Sequence, residues 1–98
     1  MTEKKIPSWL SLSADVAVVK LSKPVTCNGV EVEALTLRAP TVRDIRMASQ
    51  LAHNDEDREL NLFSALIRIG RDELEGLKLS DYQRIQHAYF MLVREDSE

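Results

Sequence analysis

The chain has 98 residues, enough for one domain, and 44% apolar with 30% charged side chains is a globular rather than a disordered composition. A formal net charge of -3 excludes the basic footprint of a general nucleic-acid binder. No apolar run reaches the ~20 residues of a membrane helix, the first ten residues lack a signal-peptide core, and the lone Cys27 allows no internal disulfide.

Residues 1–13 read as an N-terminal arm and residues 14–98 as a single domain. The arm begins polar and then offers Ile6, Trp9, Leu10 and Leu12. It either folds back to bury Trp9 or docks on a partner, where Trp is a frequent anchor.

Two β-type runs flank Asn28-Gly29, a pair suited to a type I′ turn because both central positions need positive φ. A two-residue turn sets Cys27 opposite Val30 and Val25 opposite Val32. Further out, Leu35 and Leu37 change parity, so a one-residue bulge near Glu33-Ala34 is expected to gather these residues on one buried face. Pro24, in mid-strand, requires an edge. Two strands are marginal alone, so the hairpin must pack on helices or pair through its edge with a second copy.

Pro40 stops the second strand, and Thr41 with Asp44 three residues on opens a helix over Val42 to Ala52. Its stripe is Val42, Ile45, Ala48 and Ala52, with Met47 and Leu51 roughly opposite. After a break at His53–Asp57, a second helix runs from Glu56 to Ile69 with an apolar band covering half its surface, stopped by Gly70. A short helical turn follows at Arg71–Gly76, with Leu77 and Leu79 as apolar plugs. Ser80 and Gln83 form an S-x-x-Q box opening the last helix, which extends to about Arg94 with Tyr82, Ile85, Tyr89, Leu92 and Val93 as its stripe. Phe90 and Met91 fall off that stripe. Glu95–Glu98 reads as a solvated acidic end. The expected fold is α+β: an N-terminal β-hairpin packed on a small bundle of about three helices.

No catalytic constellation is visible. His53 and His87 are isolated, Cys27 suits a buried structural thiol, and the acids Asp55, Glu56, Asp57 and Glu59 complement a helix N-terminus. No glycine pattern forms a phosphate cradle. The chain therefore reads as a non-enzyme with no cofactor and no metal. A helix-turn-helix over the last two helices would need a 3–4-residue turn, where this connection takes roughly ten.

Several segments in order resemble a known family. Val19-Lys20-Leu21-Ser22-Lys23-Pro24-Val25, then Asn28-Gly29, Leu35-Thr36-Leu37-Arg38, Pro40-Thr41-Val42 and Asp44-Ile45 are similar to the head of the phage tail assembly chaperones. These small proteins are encoded just before the tape-measure protein in Mu-like and related contractile-tailed phages. The later half agrees, with Asp72-Glu73-Leu74 and then Leu77-Lys78-Leu79-Ser80-Asp81-Tyr82, where the family often reads L-x-L-x-D-Y. The resemblance spans roughly residues 18–93 and departs from the pattern at Ile6–Leu12.

The resemblance implies a non-enzymatic role in the host bacterial cytoplasm. The chaperone would coat the long, helical, apolar tape-measure protein, keep it soluble, and yield it to tail tube subunits as the tube grows. Such a protein needs an exposed apolar patch for amphipathic helices. The residues surplus to the core, Met47, Leu51, Phe90 and Met91, together with Trp9, are the expected partner-binding set. A homo-oligomeric tail or scaffold component is the alternative, with a small DNA-binding regulator further off.

Overall fold

A computed structural model describes residues 6–94. The expected acidic end at Glu95–Glu98 and the first five residues of the arm lie outside the described residues. The chain is α+β, a three-stranded antiparallel sheet followed by four helices. Strands β1 (Leu10–Leu12), β2 (Val16–Cys27) and β3 (Val30–Arg38) lie in that order. Helices α1 (Val42–Gln50), α2 (Asp55–Ile67), α3 (Arg71–Glu75) and α4 (Leu79–Val93) complete the fold. The expected hairpin is present, extended by β1, and the short turn at Arg71 is a helix of its own.

The sheet buries one face because alternate residues line up across the strands. Leu10 pairs with Val19 and Val19 with Leu35; Leu12 pairs with Ala17 and Ala17 with Leu37. All but Leu12 are fully enclosed, and α2 and α4 cover this face with Phe63, Leu66, Ile85 and Ala88. At roughly 25 cal/mol per Å2, each such Leu or Phe contributes about 2–3 kcal/mol when buried.

The turn at Asn28-Gly29 has φ of 54° and 79°, as a type I′ turn requires, and the predicted pairs Cys27–Val30 and Val25–Val32 are present. The bulge differs from expectation in place and size. Lys20 pairs with Ala34 and Val25 with Val32, so the four residues 21–24 face Glu33 alone. The three extra residues belong to β2, not β3. Pro24 lies in this unladdered stretch, past the end of β1, so its missing N–H costs nothing even though β2 is the central strand. Val30 is exposed rather than buried, standing at the hairpin tip directly after the Asn28-Gly29 turn.

The bulge is held from outside the sheet. Asp81, in the first turn of α4, is fully buried and accepts from the Ser22 backbone N–H and hydroxyl, both at 3.0 Å. Arg84 donates to the Lys20 carbonyl at 2.7 Å. Backbone groups that a regular ladder would pair are thus satisfied by α4 side chains. This also explains why α4 begins at Leu79 with Lys78 as N-cap, and why the Ser80–Gln83 box does not form: drawing Asp81 inward fixes the register of the first turn.

The helix junctions follow local chemistry. Thr41 caps α1 in a capping box with Asp44, whose carboxylate also takes both Arg38 guanidinium nitrogens, at 2.8 and 3.0 Å. Asn54 caps α2 by accepting from the Asp57 N–H. Helix α2 ends at Arg68 in the left-handed region (φ 69°), two residues before the predicted Gly70. The reversal comes early because Ile69 must turn inward to be buried, and Ser64 holds it there with a 2.6 Å bond to its carbonyl. Gly70 instead starts α3.

Candidate partner-binding surface

Helix α1 leaves the sheet at Pro40 and packs on α2 rather than on α4. It is short, and Ala48 is its only fully buried residue. Of the four large apolar side chains on the helix and its C-cap Leu51, Ile45 is half-buried, whereas Val42, Met47 and Leu51 are 78%, 57% and 76% exposed. At 100° per residue, Val42 and Ile45 occupy one edge of the helix and Met47 and Leu51 the other, with Ala48 between them. Each edge borders a groove.

Met47 and Leu51 line a hollow of about 240 Å3 between α1 and α2, with Asn61, Ser64 and Ala65 opposite. Asn61 ties the two helices together by donating to the Ala48 carbonyl while accepting from Arg71. Val42 and Ile45 face a second groove, about 350 Å3, closed on the far side by Tyr89, Leu92 and Val93 of α4. Ile45 and Tyr89 also line an adjoining hollow of about 260 Å3 with Leu62, Phe63 and Arg58. The two form one cleft between α1 and α4.

The remaining predicted residues sit elsewhere. Phe90 is 55% exposed on the outer side of α4, with the Arg94 guanidinium 5.6 Å from its ring centroid. Met91 is half-buried against the core. Trp9 is also half-buried, and its ring meets His87 edge-on at 5.7 Å and the Arg84 guanidinium at 5.3 Å. The fold therefore brings Met47 and Leu51 together, and places Phe90, Met91 and Trp9 around α4, away from that pair.

Two exposed apolar residues escaped the sequence reading. Val42 and Val93 count as stripe positions by periodicity, yet each stands at a helix terminus, and Val93 is 45% exposed. Leu79, expected as a plug, is likewise exposed at the start of α4 beside Leu60, Leu74 and Tyr82. The signal available was position: terminal helical turns overhang the core.

The polar side chains serve structure. Asp57 pairs with Arg71 at 2.8 Å, and Glu59 accepts from the Tyr82 hydroxyl at 2.7 Å and from Gln86. Burial, then this bond to Glu59, raises the Tyr82 pKa well above the ordinary phenol value. Glu73 takes the Asn28 N–H at 2.7 Å, docking the hairpin tip on α3. The Cys27 thiol is buried, and its pKa is pushed up by that burial and by the nearby Glu73 charge, the setting of an inert thiol. Among the described residues no three His, Cys, Asp or Glu side chains gather as metal ligands, and no helix is long and apolar enough to cross a membrane.

The described surface thus carries exposed apolar side chains on the edges of α1 and α4. The family model of phage tail assembly chaperone proteins, E, or 41 or 14, matches residues 18–94. The chain belongs to this family. Neither curated proteins nor solved structures give a significant match. The matched span of this tail assembly chaperone starts within β2, so it includes the bulge, Asp81 and both edges of α1, and leaves out β1 and Trp9.

Proposed function

We propose that this tail assembly chaperone binds the tape-measure protein in the cytoplasm of the host bacterium, whether from an infecting phage or a prophage. It keeps that long apolar helical chain soluble and releases it to tail tube subunits, remaining outside the finished tail. The observation that carries this reading is α1, a helix of a tail assembly chaperone that leaves Val42, Met47 and Leu51 in solvent. Exposed apolar side chains on helix edges suit an amphipathic helical partner, and Met47 adds an adaptable contact. Grooves of a few hundred Å3 suit a modest interface, which release requires.

Co-expression with the long helical reading frame encoded downstream tests the reading. The expected result is that the downstream product becomes soluble and co-elutes with several copies of the chaperone in size-exclusion chromatography with light scattering. An insoluble product, also in the presence of any frameshift-extended form, overturns it. A homo-oligomeric tail or scaffold role is the second reading. It draws on β3, the outer strand of the sheet, nine residues that can pair with a second copy. Recovery of the protein in purified particles would favour that role.

A further inference from the structure

Helix α1 has little to hold it down. It buries only Ala48 fully, rests mainly on α2, and carries no basic side chain in its last turn. The last carbonyls of a helix find no partner within it, and that of Ala48 is one of these: the Ala52 N–H, four residues on, donates to Ser49 instead. The donor that reaches the Ala48 carbonyl comes from α2, the Asn61 Nδ2 at 3.3 Å. At its other end the Asn61 amide accepts from Arg71 Nη1 at 3.1 Å. A guanidinium can only donate, so it holds Oδ1 toward α3 and thereby turns Nδ2 toward α1. Arg71 is itself aimed by two carboxylates, Asp57 at 2.8 Å, one turn before Asn61, and Glu75 at 2.9 Å, one turn on in α3. The second Asp57 oxygen takes the His53 N–H in the α1–α2 connection. Asn61 also lines the hollow bordered by Met47 and Leu51.

We infer that Arg71 is a positioning residue for α1: by orienting the Asn61 amide it holds α1 on α2 and seats Met47 and Leu51 beside their hollow. The first residue of α3 thus governs, through one side chain of α2, the helix with the most exposed apolar edges. Because the docking of α1 consists of one such bond and a small apolar contact, α1 can leave α2 while the sheet stays closed. This rests on the chaperone reading for what α1 binds, but the docking itself stands on the hydrogen bonds alone.

Amide hydrogen exchange of the full chain, followed residue by residue by NMR, tests the inference. In wild type the α1 amides should exchange by local opening, faster than those of Val19 and Leu35 and with little dependence on urea. Exchange of α1 only with global unfolding overturns the inference, since α1 would then have no docking equilibrium of its own. Asn61→Leu and Arg71→Met should each speed α1 exchange roughly five-fold, the size of one net hydrogen bond. With Asn61→Leu already in place, Arg71→Met should add less than two-fold, because the route is cut. Asn61→Asp separates the route from the folding of α3. Its carboxylate keeps Arg71 bonded but offers no donor to Ala48, so α1 should loosen while the Leu74 amide exchanges as in wild type. An undiminished Arg71→Met effect beside Asn61→Leu, or an unchanged α1 in Asn61→Asp, overturns the inference. Co-expression with the tape-measure reading frame keeps the two levels apart. If wild type solubilises that product but its α1 opens only globally, the positioning role is wrong and the chaperone reading stands. If wild type fails while the exchange results are as expected, the function is wrong and the positioning role stands.

Discussion

At the scale of single residues, Asp81 carries the most consequence. It is a carboxylate without solvent exposure, and its two bonds go to one residue of a strand segment that has no ladder partner. Removing it leaves the Ser22 N–H and hydroxyl to compete for water at a partly covered site. Asp81→Ala is therefore expected to cost about 2–3 kcal/mol, the range for losing hydrogen bonds to a buried charged group. Asp81→Asn keeps an acceptor for the N–H and can donate to the hydroxyl oxygen, so its loss should be less than half as large. Urea denaturation of the three proteins checks the order. Equal losses for Ala and Asn would mean that the charge, not the bonding pattern, matters at this position. The family-like sequence L-x-L-x-D-Y marked this aspartate, but a motif names a position without its partner. Ser22 lies 59 residues away, and no local pattern connects the two.

At the scale of elements, α4 shows how far periodicity reaches. Phe90 and Met91 both fall off its apolar stripe, yet Phe90 is half in water and Met91 is packed against the core. The two faces separate on substitution. Phe90→Asp should leave the melting temperature within a few degrees of wild type, whereas Met91→Asp should lower it by roughly 10 °C or more, because a charge then meets apolar surroundings. Thermal melts followed by circular dichroism decide this, and similar melting of both variants would contradict the assignment of faces. What the sequence made legible at this scale was whatever local chemistry controls. The Asn28-Gly29 turn, the Thr41–Asp44 box and the apolar band of α2 all form where the local sequence places them. What it hid depends on distant partners. The bulge sits in β2 because Asp81 and Arg84 can satisfy it there, and α2 ends early because Ile69 is needed in the core. The partner surface was half legible for the same reason. Met47, Leu51 and Phe90 stand out against periodicity, but Val42 and Val93 obey it and are exposed at the ends of their helices.

At the scale of the whole molecule, three carboxylates hold the junctions between units, and their titration makes the fold acid-sensitive. Asp44 joins the end of β3 to α1 through Arg38 and Thr41, Asp57 joins α2 to α3 through Arg71, and Glu73 joins the hairpin tip to α3 through the Asn28 and Gly70 N–H groups. In each case these bonds hold the carboxyl pKa below its ordinary value, most strongly for Asp44, where the Arg38 bond is the largest cause. A depressed pKa means that the unfolded chain takes up protons first as pH falls. The contribution is therefore complete above the unfolded values of 3.8 and 4.5 and is lost as pH drops below them toward the folded values. The melting temperature should be flat with respect to these groups from pH 7 to about 5.5, begin to fall near pH 4.5, and keep falling to pH 3. Since the groups lie near solvent, added salt should flatten the profile. Asp44→Asn, which cannot titrate, should melt lower than wild type at pH 7 and lose less on acidification, so that the two curves converge toward pH 3. A variant curve running parallel to wild type over pH 3–5 would show that Asp44 does not contribute to acid sensitivity. Convergence would show that the Asp44 bonds at the β3–α1 junction, which positions the exposed edges of α1, contribute to the acid sensitivity of the whole fold.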